Sequence, residues 1–241
     1  MAPFVDEIAR AFGAAGVDLS RVGLAWARVA PAVAIVPAFG LRALPAGARA
    51  IFGVTLALAV FPAIGAVGPV DASLPWSALL LLEVLRGLPV AIAGAVPLWA
   101  ATMAGGIVDG LRGANDGAAA PIVEGRPTTL GVPMSLFASF MFLASGGPSR
   151  LAATLARGDF PASPIEAVAR DLAGGITLAV AVAGPLLAAA VVLEVAVALT
   201  ARAASPAQVQ ALSGPARTMG ILAIFAVVMD RMAGVLALAM R

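Results

Sequence analysis

Six apolar stretches, at residues 22–41, 50–70, 76–108, 128–148, 172–201 and 218–240, fill most of a 241-residue chain. Crossing about 30 Å of hydrocarbon takes roughly 20 helical residues, so each stretch is at or near the length of one crossing. No interval between them is long enough for a separate soluble domain. Backbone inside a bilayer must satisfy its own hydrogen bonds, which restricts runs of this kind to helices. The expected fold is all-α: a multi-pass integral membrane protein with a single membrane-embedded domain over residues 1–241. Composition agrees, since 61% hydrophobic and 12% charged residues with a mean hydropathy of +1.03 lie outside the soluble range.

The runs are interrupted. Pro31, Pro37, Pro62, Pro89, Pro97, Pro133 and Pro185 sit inside them, and a mid-helix proline removes a hydrogen bond at a cost of about 3 kcal/mol unless neighbours compensate. Broken helices and short helical hairpins are therefore expected in preference to straight rods. The third and fifth runs exceed one crossing. Proline interruptions such as "AIAGAVPLWA" at 91–100 would let each fold as two packed pieces, with a tilted single helix as the alternative.

Missing residue types close off much chemistry. All 15 basic residues are Arg, and the chain has no His and no Cys. A serine nucleophile needs His or Lys as its base, while zinc and redox sites need His or Cys. Neither catalysis nor a cofactor is expected, and disulfides are excluded. No Gly-rich nucleotide loop is present, so energy for any transport must come from elsewhere. A net charge of +2 gives no basis for nucleic-acid binding. The first apolar run starts near Val22, after Asp6, Glu7, Arg10 and Asp18, unlike the basic start of a secretory signal, so no cleaved signal is expected. Arginines in the connections divide six and six between the two sides, and the positive-inside rule does not orient the chain.

Charges within the apolar runs narrow the reading. Glu83 lies in "LLLLEVLRGLPV" with Arg86 three residues on and on the same helix face. Glu194 lies in "AAAVVLEVAVALTAR", with Arg202 eight residues on, again on one face. An unpaired carboxylate facing lipid costs a few kcal/mol. Two readings stand: Glu83 and Glu194 are proton or ion ligands of a proton-coupled or small-solute carrier, or they are polar glue between helices or subunits. Arg28 in the first run is expected to snorkel or pair. Asp109, Asp116 and Glu124 could in principle bind a divalent ion, and "DGLRGANDG" begins like the Asp-Gly motif of membrane phosphatidyltransferases, but the later paired aspartates of those enzymes are missing, so neither that enzyme nor a metal site is expected.

Four segments together resemble the FliR/SctT family of export-gate subunits, in particular its injectisome branch. "ARVAPAVAIVPAFGLRALPAGARAIFGVTLALAVFPAI" (27–64) is similar to the family's arginine-led first hairpin. "LLLEVLRGLPVAIAGAVPLWAATMAGGIVDGLRGA" (80–114) looks like its Glu, Gly-rich helix and Asp-x-x-Arg-Gly-Ala turn, through Glu83, Gly87, Asp109, Arg112 and Gly113. "EGRPTTLGVPMSLFASFMFLASGGPSRLAATLARGDFP" (124–161) resembles the polar loop, Leu-Gly helix start and Gly-Gly helix end of the injectisome branch. "VVLEVAVALTARAASPAQVQALSGPARTMGIL" (191–222) is similar to the Arg-Ala-x-Pro-Gln turn and last hairpin, with an extra Ser205.

The resemblance implies a subunit that joins FliP/SctR-like and FliQ/SctS-like subunits, and an FlhB/SctU-like one, in a helical export gate of the bacterial inner membrane. Such a gate passes unfolded secreted proteins. Slanted helical hairpins lifted out of the bilayer plane would account for broken runs and for carboxylates at Glu83 and Glu194 beside Arg86 and Arg202, as subunit interfaces. It also implies that the loop from Arg112 to Arg126, with Gly113, Asn115, Asp116, Gly117, Glu124 and Gly125, is a plug in the pore. An ordinary solvated connection is the alternative.

Overall fold

In a computed structural model, the described residues are 18–37, 45–64, 74–112, 128, 130–158, 160–203 and 210–240, with Glu7, Arg10, Gly13 and Ala14. Among them the fold is helical, without strands. The helices are α1 (Leu19–Ile35), α2 (Ala46–Ile64), α3 (Trp76–Arg112), α4 (Gly131–Ala144), α5 (Gly147–Arg157), α6 (Pro164–Ala203) and α7 (Gln210–Ala239). The first starts cleanly because Asp18 caps it, its Oδ1 accepting the Ser20 amide at 2.9 Å and the Arg21 amide at 3.4 Å.

Three segments of the described residues are long and apolar enough to cross a membrane: Trp76–Leu111, Pro164–Ala203 and Gly214–Ala239. The other three runs give the shorter helices α1, α2 and α4. For the two longest runs the structure takes the single-helix alternative, because α3 and α6 are continuous helices of 37 and 40 residues and not pairs of packed pieces. Pro89 and Pro97 lie inside α3 and Pro185 inside α6. The reason lies in end effects. One proline deletes one backbone bond, whereas a break creates two helix ends with four orphan groups each, and an apolar setting has no water to satisfy them. At 1.5 Å per residue these helices are about 55–60 Å long, roughly twice the hydrocarbon thickness. Pro133 is the third residue of α4, in the first turn, where its missing N–H costs nothing.

The short helix α5 was not among the expected apolar runs. It is amphipathic, and buries Leu151 and Leu155. Gly146, at φ +76°, ends the preceding helix in the left-handed region that a side chain disfavours, and Pro148 follows in the first turn of α5.

The chain divides into two compact units. One comprises residues 1–95 and 146–171, where α1 packs on α2 and α2 on α5. Its core includes Ala25, Val29 and Ala57, with Ala91 and Leu155. The other comprises residues 96–145 and 172–241, with Leu98, Val108, Met134, Leu186 and Leu236 fully or almost fully buried. Alanines are interspersed with the larger apolar side chains in both interiors, a means by which apolar helices approach closely without a hydrophobic driving force between them.

The tightest such approach in the second unit is at Gly105 of α3. A Cβ there would sit 2.7 Å from the Gly131 Cα and 2.7 Å from the Leu130 carbonyl oxygen, both backbone atoms that cannot rotate away. Alanine gains about 1 kcal/mol over glycine in a helix interior, but overpacking against backbone costs about 1–3 kcal/mol. Gly105→Ala should therefore lower stability in thermal unfolding of detergent-purified protein. Gly110→Ala on the same helix, with nothing within 4 Å of its Cβ, should be neutral or stabilising. Equal behaviour of the two variants would refute the close approach.

Candidate functional site

Arg28, in the middle of α1, is 3% exposed. A guanidinium cannot shed its charge at that depth, so its surroundings must answer it. Its Nε donates to Oε2 of Glu83 at 2.5 Å, and a terminal nitrogen donates to the Leu155 carbonyl of α5 at 3.4 Å. The Phe160 ring lies beneath it, 5.1 Å from guanidinium carbon to centroid, a cation–π contact strengthened by desolvation. Gly87 makes this geometry available, because any Cβ there would overlap the Arg28 carbonyl oxygen. Four segments thus meet on one side chain: α1, α3, α5 and the residues just after it.

Glu83 is buried and doubly engaged. Its Oε1 accepts from Arg86 at 2.7 Å, the same-face neighbour that the spacing predicts, while Oε2 accepts from Arg28. Arg86 stays partly open, its side chain 42% exposed. Two guanidinium groups on one carboxylate leave a net positive cluster. A cation approaching Glu83 would meet both arginines, so the arrangement suits structural pairing better than ion ligation.

The second carboxylate within an apolar run pairs with a different helix. Glu194 of α6 is joined by Arg217 of α7, both partly exposed, and Arg202 is an exposed residue near the end of α6. Arg217 Nε is buried without a hydrogen-bond partner. Eight-residue spacing does put Arg202 on the face of Glu194, but two turns is about 11 Å of rise, farther than a residue on the adjoining helix. Asp230 and Arg231, adjacent charges within the last apolar run, are exposed on α7.

Asp109 is fully buried near the end of α3 and accepts the Leu130 amide at 2.5 Å. Arg112 is the last residue of α3. Gly113, Asn115, Asp116, Gly117, Glu124, Gly125 and Arg126 lie outside the described residues. Among the described residues no group of acidic or other metal-ligating side chains is arranged to hold a metal ion.

Long apolar helices with internally paired charges define a multi-pass membrane protein. Residues 19–241 match the bacterial export proteins, family 1, and the chain belongs to that family. Membership makes it a component of a bacterial export apparatus together with other membrane subunits. No curated protein matches the chain.

Sequence reasoning undervalued Arg28. A signal was present: an arginine inside an apolar run requires an acid, and few acids lie in the other runs. Removing one partner of a buried ion pair costs about 3–5 kcal/mol, because the survivor is left charged and uncompensated. Glu83→Ala should therefore produce a loss of that order in thermal unfolding. Glu83→Gln, which keeps an acceptor oxygen, should lose less. The double replacement Arg28→Leu with Glu83→Leu should recover much of the alanine loss. A Glu83→Ala variant as stable as wild type would rule out the pairing.

Proposed function

We propose that the chain is a non-enzymatic subunit of a type III secretion export apparatus, of the injectisome branch, that helps form and gate the inner-membrane channel for unfolded proteins. Its partners are FliP/SctR-like and FliQ/SctS-like subunits, with an FlhB/SctU-like subunit beside them, and it sits in the base of the secretion system. Family membership over residues 19–241 supports export. The observation that favours a built-in place among other subunits is the outer surface of α6 and α7. Val191, Val192, Val195 and Leu199 are largely exposed on the same stretch as the half-open Glu194–Arg217 pair, and Val227 is exposed near Asp230 and Arg231. Water disfavours the valines and lipid disfavours the charges. Another membrane protein, offering apolar and polar contacts together, suits both.

A small-solute or proton-coupled transporter is the rival, and it needs a carboxylate open to its ion. Glu83 has a guanidinium on each oxygen. Affinity purification in mild detergent with mass determination of the complex separates the two readings: co-purification with SctR-like and SctS-like subunits is expected, and a stable homodimer without other subunits would sink the proposal. A Glu83→Gln variant that assembles normally but no longer secretes would favour proton coupling.

Within this reading, the segment from Arg112 to Arg126 acts as a plug. Its glycines and alanines offer little steric resistance to bending aside, and Arg112, Asp116, Glu124 and Arg126 supply weak, water-screened pairing. Replacing residues 114–123 by a few glycines should preserve assembly and increase ion or small-dye leakage in cells that co-express the partner subunits. Leakage no greater than wild type in the assembled complex would make the segment an ordinary connection. Leakage without partners would mean that the chain makes its own channel.

A further inference from the structure

We propose that Asp109 is a positioning residue for export: a cap that α3 supplies to α4, holding the end of one helix against the start of the next. The last turn of α3 and the first turn of α4 are then fixed at one place. This role rests on the export reading above, whereas the capping geometry stands without it.

The start of α4 has its amides answered from two sources. Thr128 behaves as an N-cap, its Oγ1 accepting the Gly131 amide at 3.2 Å and its carbonyl accepting the Val132 amide at 3.3 Å. The Leu130 amide goes instead to the Asp109 carboxylate, 21 residues earlier in the chain. A helix N-terminus favours negative charge through its dipole, which offsets part of the cost of burying a carboxylate. One turn earlier on the same face of α3, Gly105 makes the close backbone approach to Gly131. Packing and the cap therefore hold the start of α4 at adjacent turns of α3.

Volume alone does not explain this residue. A leucine at 109 would fill the space but leave the Leu130 N–H unanswered, and a buried unsatisfied donor is costly. What the position requires is an acceptor. The consequence for export is geometric: with α3 and α4 joined at this point, whatever the connection does starts from a fixed base.

The test compares Asp109→Leu, which keeps bulk without an acceptor, with Asp109→Asn, which keeps an acceptor oxygen. Amide hydrogen exchange is read at Leu130 and the first turn of α4 in protein purified in mild detergent with its associated subunits. Secretion is measured in the same strains. In Asp109→Leu, exchange there should quicken by about five- to thirtyfold, and secretion should fall severalfold while subunit association persists. Asp109→Asn should restore both to within about threefold of wild type. If the leucine variant is not recovered, Asp109→Ala carries the same comparison. Equal exchange in the leucine and asparagine variants would overturn the cap. Faster exchange with undiminished secretion would overturn the positioning role. Failure of the wild-type chain to associate with any export subunit would overturn the export reading, and the positioning role with it, while the exchange contrast would still decide the cap.

Discussion

A buried polar group in a chain this apolar is costly unless the protein answers it, because hydrocarbon offers nothing. That constraint explains why α3 and α6 run on through prolines that would end a helix in water. It also explains where the charges go. Arg28 is answered by a carboxylate, a carbonyl and an aromatic face at once, and the orphan amides at the start of α4 are answered by Thr128 and Asp109. Each solution joins elements that local sequence would leave independent.

The buried Arg28–Glu83 pair is not an efficient way to gain stability. Desolvating two ions costs several kcal/mol each, and a well-packed apolar pair of similar volume is often as stable or more so. What distinguishes the pair is selectivity of arrangement. An apolar contact between two alanine- and leucine-rich helices tolerates sliding by a turn, since many registers bury similar area. A guanidinium that must meet Glu83, the Leu155 carbonyl and the Phe160 ring together tolerates one register. The overlap that any side chain at residue 87 would cause has the same effect. For helices whose interiors are apolar and rich in alanine, register is sharpened by such points.

How much of this the sequence disclosed depends on whether the signal was local. The apolar runs marked all but one of the delimited helices, because hydropathy over 20 residues needs no knowledge of partners. The Glu83–Arg86 pair was legible for the same reason, three residues being one helical turn. Arg28 and Glu83 are 55 residues apart, and Glu194 and Arg217 are on successive helices, so their pairing depends on which helices meet and in what register. The amphipathic α5 was overlooked because its sequence is neither apolar nor long, although Leu151 and Leu155 at a spacing of four mark one buried face. Asp109 was noted as a candidate metal ligand and as part of a turn motif. Its role as an acceptor for another helix depends on a partner beyond a long connection, which periodicity does not reveal.

Polar satisfaction is uneven across the molecule, and the unevenness has a direction. Around Arg28 and Asp109 the charged groups are buried and supplied with partners. On α6 and α7 the ionisable groups stand partly open among exposed valines, and Arg217 keeps a buried N–H without an acceptor. A protein selected to be stable alone in lipid would turn these groups inward or lose them. One selected to be a part of something larger would complete its own interior first and leave mixed polar and apolar surface where a neighbour arrives. The second description agrees with the proposed role in an export apparatus, where other membrane subunits are at hand to complete such a surface. On the proposed reading, the mixed polar and apolar surface of α6 and α7 is where a neighbouring subunit would be received.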